Sequence, residues 1–307
     1  MGVPARLTAA LPFAALIAGA VAIGFSPILV RFSEAGPIPT AFYRVAFAVP
    51  FLMLIAGSAG RASRDDALPA SRSASQSDWA LFMAASAFFA ADLAAWHWSI
   101  KLTSVANATL LANVAPIFVT LAGWLLFGER VTLAFLAGLA LAFAGTTALV
   151  GEGAALATGN LLGDALGLFT AMVYAGYLIC VGRLRRTHST ARIMTVSSSL
   201  SALMLLPVAL VSGETLFAAT LTGWLVLLAL ALIAQAGGQN LIAYGLRHVP
   251  VALSSVALLV QPVVAAVLAW LIFNEHLGPL QIGGGILVLA GIAVCRRAGR
   301  APRLPQG

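Results

Sequence analysis

The stretch AWLIFNEH, residues 269–276, closes a long apolar run, and a near copy of it, GWLLFGER, stands at 123–130. Sliding the chain by 146 residues aligns much more than this phrase. Lys101 meets Arg247, Pro116 meets Pro262, Trp124 meets Trp270, Phe127 meets Phe273, Glu129 meets Glu275, Gly138 meets Gly284 and Gly145 meets Gly291. An offset of 152 relates the beginnings of the two blocks, with Gly24 on Gly176 and Arg31 on Arg183. Matches of Leu, Ala and Gly arise by composition in any apolar chain. Pro, Trp, Phe and Glu at one shared offset do not. The pattern predicts an internal duplication, with a first half at 1–152 and a second at 153–307.

The solvent of this chain follows from its composition. Of 307 residues, 61% are hydrophobic and 9% charged, and the mean hydropathy is +1.00. A soluble domain carries roughly a quarter of its residues as charges, so this chain cannot face water on all sides. Apolar stretches of about 20 residues recur throughout, each sufficient for a helix to cross a hydrocarbon core of roughly 30 Å. Gly, Pro and charge clusters delimit ten of them: 11–32, 40–57, 79–100, 103–127, 131–151, 160–183, 192–212, 222–246, 250–273 and 277–296. The expected fold is an all-α polytopic membrane protein of ten transmembrane helices. Gly19–Ala22 loosely resembles a signal-processing site, but the run continues through Val30 and has a counterpart in the second half, so it reads as a retained span. Cys180 and Cys295 stand far apart inside apolar segments and read as packing residues.

A basic pI near 10.4 would suggest nucleic acid in a soluble protein; here the cations fall between the spans and indicate orientation instead. With the N-terminus inside, fourteen Lys and Arg residues face the cytoplasm and three, Arg31, Arg44 and Lys101, face out. Both termini are therefore expected in the cytoplasm. Five spans separate equivalent positions, and an odd number inverts the second half relative to the first. Inverted repeats of this kind characterise secondary transporters, whose substrate sites lie near the membrane midplane between the repeats.

Each half contains P-x7-W-L-x-F-x-E, at 116–129 and 262–275, followed by a Gly-rich last helix. In this plan the chain resembles the EamA type of the drug/metabolite transporter superfamily, and within it the bacterial exporters of aromatic amino acids. The resemblance implies a bacterial inner-membrane exporter of amino acids or similar metabolites, with no cofactor. Drug or other metabolite export on the same fold is the alternative; a channel or an intramembrane enzyme is more remote. An enzyme would need paired Asp, a Ser–His dyad or HExxH, and Asp92 and His97 diverge by about 140° on a regular helix. The expected partners are a small-molecule substrate and the lipid bilayer, with no nucleic acid; a monomer could suffice.

Polar groups within the spans mark the candidate site, because lipid penalises them. Asp92 and Trp96 lie four apart on the third span; Asp92 reads as a partner for a substrate ammonium, a proton carrier, an ion-pair member or a helix cap. Asn113 and Pro116 share a stripe on the fourth span, and Tyr174 and Tyr177 a face of the sixth. Gln235 and Gln239 are four apart on the eighth, beside Gly237 and Gly238, where close contact or local unwinding is possible. Pro116 and Pro262 each remove a backbone donor and read as paired hinges or as plain bends. Glu129 and Glu275 fall on opposite faces of the membrane and read as caps for the following spans. Arg31 and Arg44 read as interface charges or salt-bridge members, with Arg44 snorkelling beside Tyr43. The cavity so assembled is mostly apolar and largely uncharged.

Overall fold

The computed structural model describes residues 11–62, 75–103, 105–129, 131–155, 160–273 and 278–299. Its secondary structure is helical, with no strand among the described residues. Among the described residues, nine helical stretches are long and apolar enough to cross a membrane: Leu11–Arg31, Pro37–Gly57, Gln76–Leu102, Ala108–Phe127, Leu161–Leu184, Thr190–Val211, Leu221–Gly245, Val251–Phe273 and Pro279–Ala298. A shorter apolar helix, Leu133–Leu149, falls where the fifth span is expected. These are numbered below as the first to tenth spans in chain order. Local chemistry sets their starts. Gly36 in extended backbone precedes Pro37 and opens the second span. Ser75 and Asp78 form a capping box that begins the third at Gln76. The surface is apolar where water would demand charge: Leu133, Leu161 and Val211 are each more than 80% exposed. That is the surface of a protein solvated by lipid.

Several spans are broken near mid-membrane. The fourth runs as Val105–Ala112 and Ala115–Phe127, the ninth as Val251–Ala257 and Val260–Phe273. The interruptions precede Pro116 and Pro262 and fall within one residue of each other under the 146-residue shift. Proline cannot donate to the carbonyl four residues back, so the chain tightens into three-residue turns there: Val114 N donates to Leu111 O and Gln261 N to Leu258 O. The first span breaks at Phe25, ahead of Pro27. The eighth widens into a π-helix over Leu230–Gln239. Its Gly238 packs on the first span so closely that a β-carbon on Gly19 would stand 2.7 Å from the Gly238 carbonyl oxygen.

The repeat is visible where the fifth and tenth spans meet. A β-carbon on Gly145 would stand 2.6 Å from the Gly284 oxygen, and one on Gly291 2.6 Å from the Gly138 oxygen. Gly138 aligns with Gly284 in sequence and Gly145 with Gly291, yet each packs against the other's equivalent. Contacts that pair 138 with 291 and 145 with 284 require the two helices to run antiparallel. Equivalent helices therefore point in opposite directions at this contact.

Phe13 lies under the Arg296 guanidinium, 4.2 Å from it, so the first span begins where the tenth ends; this side is the terminal face, the opposite side the distal face. At the distal face Arg31 sits 4.1 Å over the Phe273 ring. At the terminal face Arg183 sits 4.4 Å over the Phe127 ring. Arg31 and Arg183 are repeat partners, as are Phe273 and Phe127.

Candidate functional site

A cavity lies where the broken spans converge, lined by Gly24 and Pro27 of the first, Pro116 of the fourth, Gln239 of the eighth and Pro262 of the ninth. It offers water-sized molecules about 110 Å³ for their centres, several times the roughly 10–15 Å³ that one water requires. Its wall comes from both sequence halves.

Of the residues expected from sequence, Asp92, Trp96, Asn113, Tyr174 and Gln239 line this cavity, as do Pro116 and Pro262. Asp92 and Trp96 are joined on the third span by Leu93. Asn113 is oriented by its own helix, its Nδ2 donating to Thr109 O at 2.7 Å. Thr170 and Leu178 extend the face of Tyr174 at steps of four along the sixth span.

Two expected residues lie elsewhere. Tyr177, three residues past Tyr174, turns away from the cavity; its ring stacks on Phe89 at 4.6 Å and its hydroxyl points to Met194 Sδ at 3.8 Å. Gln235, about one turn before Gln239 on the π-helix, does not line the cavity and donates to Ser198 Oγ at 3.0 Å. It ties the eighth span to the seventh. The serine run there serves packing as well: Ser201 donates to Ser86 O at 3.0 Å.

Glu129 does not cap the fifth span. Thr132 does, accepting from Phe135 N at 3.2 Å, while the Glu129 carboxylate folds back so that a β-carbon on Gly123 would stand 3.0 Å from Oε2. Left-handed Gly128, with φ of 63°, turns the chain at this point and carries the glutamate back over its own helix. Glu275, expected as its counterpart, lies outside the described residues. His97 is wholly buried, its Nδ1 2.6 Å from Leu93 O.

The chief correction concerns Arg44. Instead of snorkelling it is 4% exposed and lines the cavity with Asp92. Its neighbours explain the turn. Tyr43 packs edge-on against Trp224 at 5.3 Å and Phe47 lies 6.1 Å from the same ring, so the aromatic face of the second span is committed to the eighth. Arg44, about 100° further round the helix, is directed inward. The cavity thus contains a guanidinium and a carboxyl group. Gln261, Ser26 and Ser255 also line it without having been assigned there from sequence. Among the described residues no cluster of metal-ligating side chains occurs.

The model of the EamA-like transporter family matches twice, over residues 11–151 and 161–297. An uncharacterized transporter of Archaeoglobus fulgidus is 30% identical over 67% of this chain and 72% of its own. The pseudopaline exporter CntI of Pseudomonas aeruginosa is 27% identical over 66% of this chain and 70% of its own. A probable terminal-alkyne amino-acid exporter of Streptantibioticus cattleyicolor is 28% identical over 66% of this chain and 67% of its own. A protein solved by crystallography superimposes with a TM-score of 0.77 at 19% identity, covering 94% of this chain and 97% of that one, a likeness of fold.

Proposed function

The chain belongs to the EamA-like transporter family, and from that premise we propose that it exports neutral amino acids with apolar or aromatic side chains, or similar small metabolites. The observation that carries this reading is the mid-bundle cavity, bounded by proline-broken spans from both halves and lined by Trp96, Tyr174 and Gln239. In this reading residues 1–152 and 153–307 are inverted repeats in a bacterial inner membrane, with both termini cytoplasmic. They rock about the glycine contact of the fifth and tenth spans to open the cavity to each side in turn. Pro116 and Pro262 supply equivalent bends in the fourth and ninth spans, the distal contact of Arg31 with Phe273 closes one side, and the contact of Arg183 with Phe127 closes the other. Trp96 and Tyr174 offer ring faces to an apolar side chain, and Asn113 and Gln239 offer amides. A relative named as an amino-acid exporter supports the substrate class; one named as a pseudopaline exporter supports export of a metabolite more generally.

Counterflow tests this reading. Proteoliposomes preloaded with unlabelled amino acids and offered one labelled amino acid at a time should transiently accumulate Phe, Trp, Leu or Met, and not Asp or Lys. No accumulation of any amino acid by folded protein would remove the amino-acid assignment and direct the search to hydrophobic drugs, the alternative on this fold.

A further inference from the structure

We propose that Arg44 and Asp92 form a two-point site for a zwitterion, the guanidinium taking a carboxylate and the aspartate taking an ammonium of one solute. The inference rests on the exporter reading and specifies its recognition chemistry. The two groups come from different spans, the second and the third, and face one cavity. They are 4% and 8% exposed. No ion pair joins them among the described residues, and Arg44 Nε is buried without an acceptor.

Two opposite charges held apart in a buried cavity pose an energetic problem. Removing an ion from water costs several kcal/mol even after the protein relaxes, and attraction offsets that only when each charge is well paired. If structure were their sole purpose, direct contact would be the economical arrangement. With no ion pair between them, the guanidinium and the carboxyl group both face the cavity, and a solute bearing both charges completes them. The planar guanidinium suits a carboxylate, which it can grip with two parallel hydrogen bonds. Asp92 suits an ammonium. A solute with one charge would satisfy one group and desolvate the other, and a lipophilic neutral solute would satisfy neither. Trp96, one helical turn beyond Asp92, and Tyr174 on the facing sixth span then receive the side chain. Charge selects the backbone of an amino acid, and the rings select what it carries.

The test is competition against labelled phenylalanine in counterflow, using phenylalanine, phenethylamine (which lacks the carboxylate) and 3-phenylpropanoate (which lacks the ammonium). Phenylalanine should compete at least tenfold more effectively than either, the penalty expected when a site built for a charged hydrogen bond meets a ligand without it. Asp92→Asn should narrow the gap between phenylalanine and 3-phenylpropanoate to about twofold while leaving the disadvantage of phenethylamine; Arg44→Gln should do the reverse. Equal competition by all three compounds in the unaltered protein overturns the proposal, even if neither variant folds. So does an equal loss for all three compounds in both variants, which marks a purely structural pair. Failure to carry phenylalanine or any other amino acid removes this site together with the amino-acid reading. Phenylalanine carried without preference for the zwitterion removes the site alone.

Discussion

The two faces of the bundle share one cation–π contact and differ in almost everything around it. At the distal face Arg31 and Phe273 have company. Glu34 accepts from the backbone of Ala219 at 2.8 Å and Thr220 at 2.9 Å, and from the Thr220 hydroxyl. Glu214 accepts from Ile38 N at 2.8 Å and from Lys101 Nζ at 2.7 Å, Gly36 N donates to Thr215 O at 2.8 Å, and Thr103 donates to Asp164 at 2.9 Å. Every one of these bonds crosses from the first half to the second. At the terminal face the polar crossings among the described residues are sparser: Asp78 beside His188 at 3.5 Å and Cys295 Sγ to Phe135 O at 3.3 Å. The same cation–π contact recurs at both ends, while among the described residues the polar bonds between the two sequence halves gather at the distal end. In the proposed transport cycle the two ends therefore act as equivalent but unequal gates.

The most severe way to break this comparison is to disturb the pivot that both faces share. Gly145→Leu would drive a side chain into the Gly284 oxygen and Val288 nitrogen, each 2.6 Å from the new β-carbon. Overpacking of this kind costs about 1–3 kcal/mol or more, so the melting temperature in detergent should fall by about 5 °C or more. Gly283→Leu, next to Gly284 on the facing tenth span but with nothing within 4 Å of its β-carbon, should melt like the unaltered protein.

Next in size is the distal polar lock. Glu214→Ala removes the partners of Lys101 and Ile38 together, two charge-assisted bonds whose worth is reduced because the Lys101 side chain is 44% exposed. A cysteine placed at Ala112, which lines the cavity, should then react about tenfold faster with an impermeant thiol reagent applied from the distal side. The native Cys180 and Cys295 are buried and should contribute little background.

Acid is the gentlest perturbation of the same face. The Thr220 hydroxyl, followed by the Thr220 backbone N–H, holds the Glu34 carboxyl below its usual range. A depressed folded-state pKa makes this contribution fully present above the ordinary carboxylate value and lost as pH falls through the lowered one. Because acid slows every thiol reaction by removing thiolate, distal labelling should be compared at each pH with Glu34→Gln, and below the usual carboxylate range the ratio of unaltered protein to variant should rise.

The spans were legible because lipid imposes a coarse rule that composition obeys, and the breaks in the fourth and ninth because Pro116 and Pro262 interrupt their helices wherever those helices pack. The cavity was legible in part. Asp92, Trp96 and Asn113 could be placed because each is a polar or amphipathic group deep in an apolar run. Arg44 could not, since seven residues from the start of a span is within reach of the headgroups for a long side chain. Only the commitment of Tyr43 and Phe47 to Trp224 turns it inward, and that is a tertiary fact. Tyr177 and Gln235 went astray for a related reason: a helical face has two flanks, and packing alone decides which flank meets the cavity. Glu129 was misplaced because the left-handed turn at Gly128 sends it back along its own helix.

Thiol labelling from each side of oriented proteoliposomes separates the two ends when Arg31→Gln is set against Arg183→Gln, each carrying Ala112→Cys. A cation–π contact contributes about 0.5–1 kcal/mol, so each variant should shift the ratio of distal to terminal labelling about two- to fivefold. Arg31→Gln should raise the ratio and Arg183→Gln lower it, and the double variant should return near the starting value. Both variants moving the ratio the same way would contradict a pair of inverted, opposed gates.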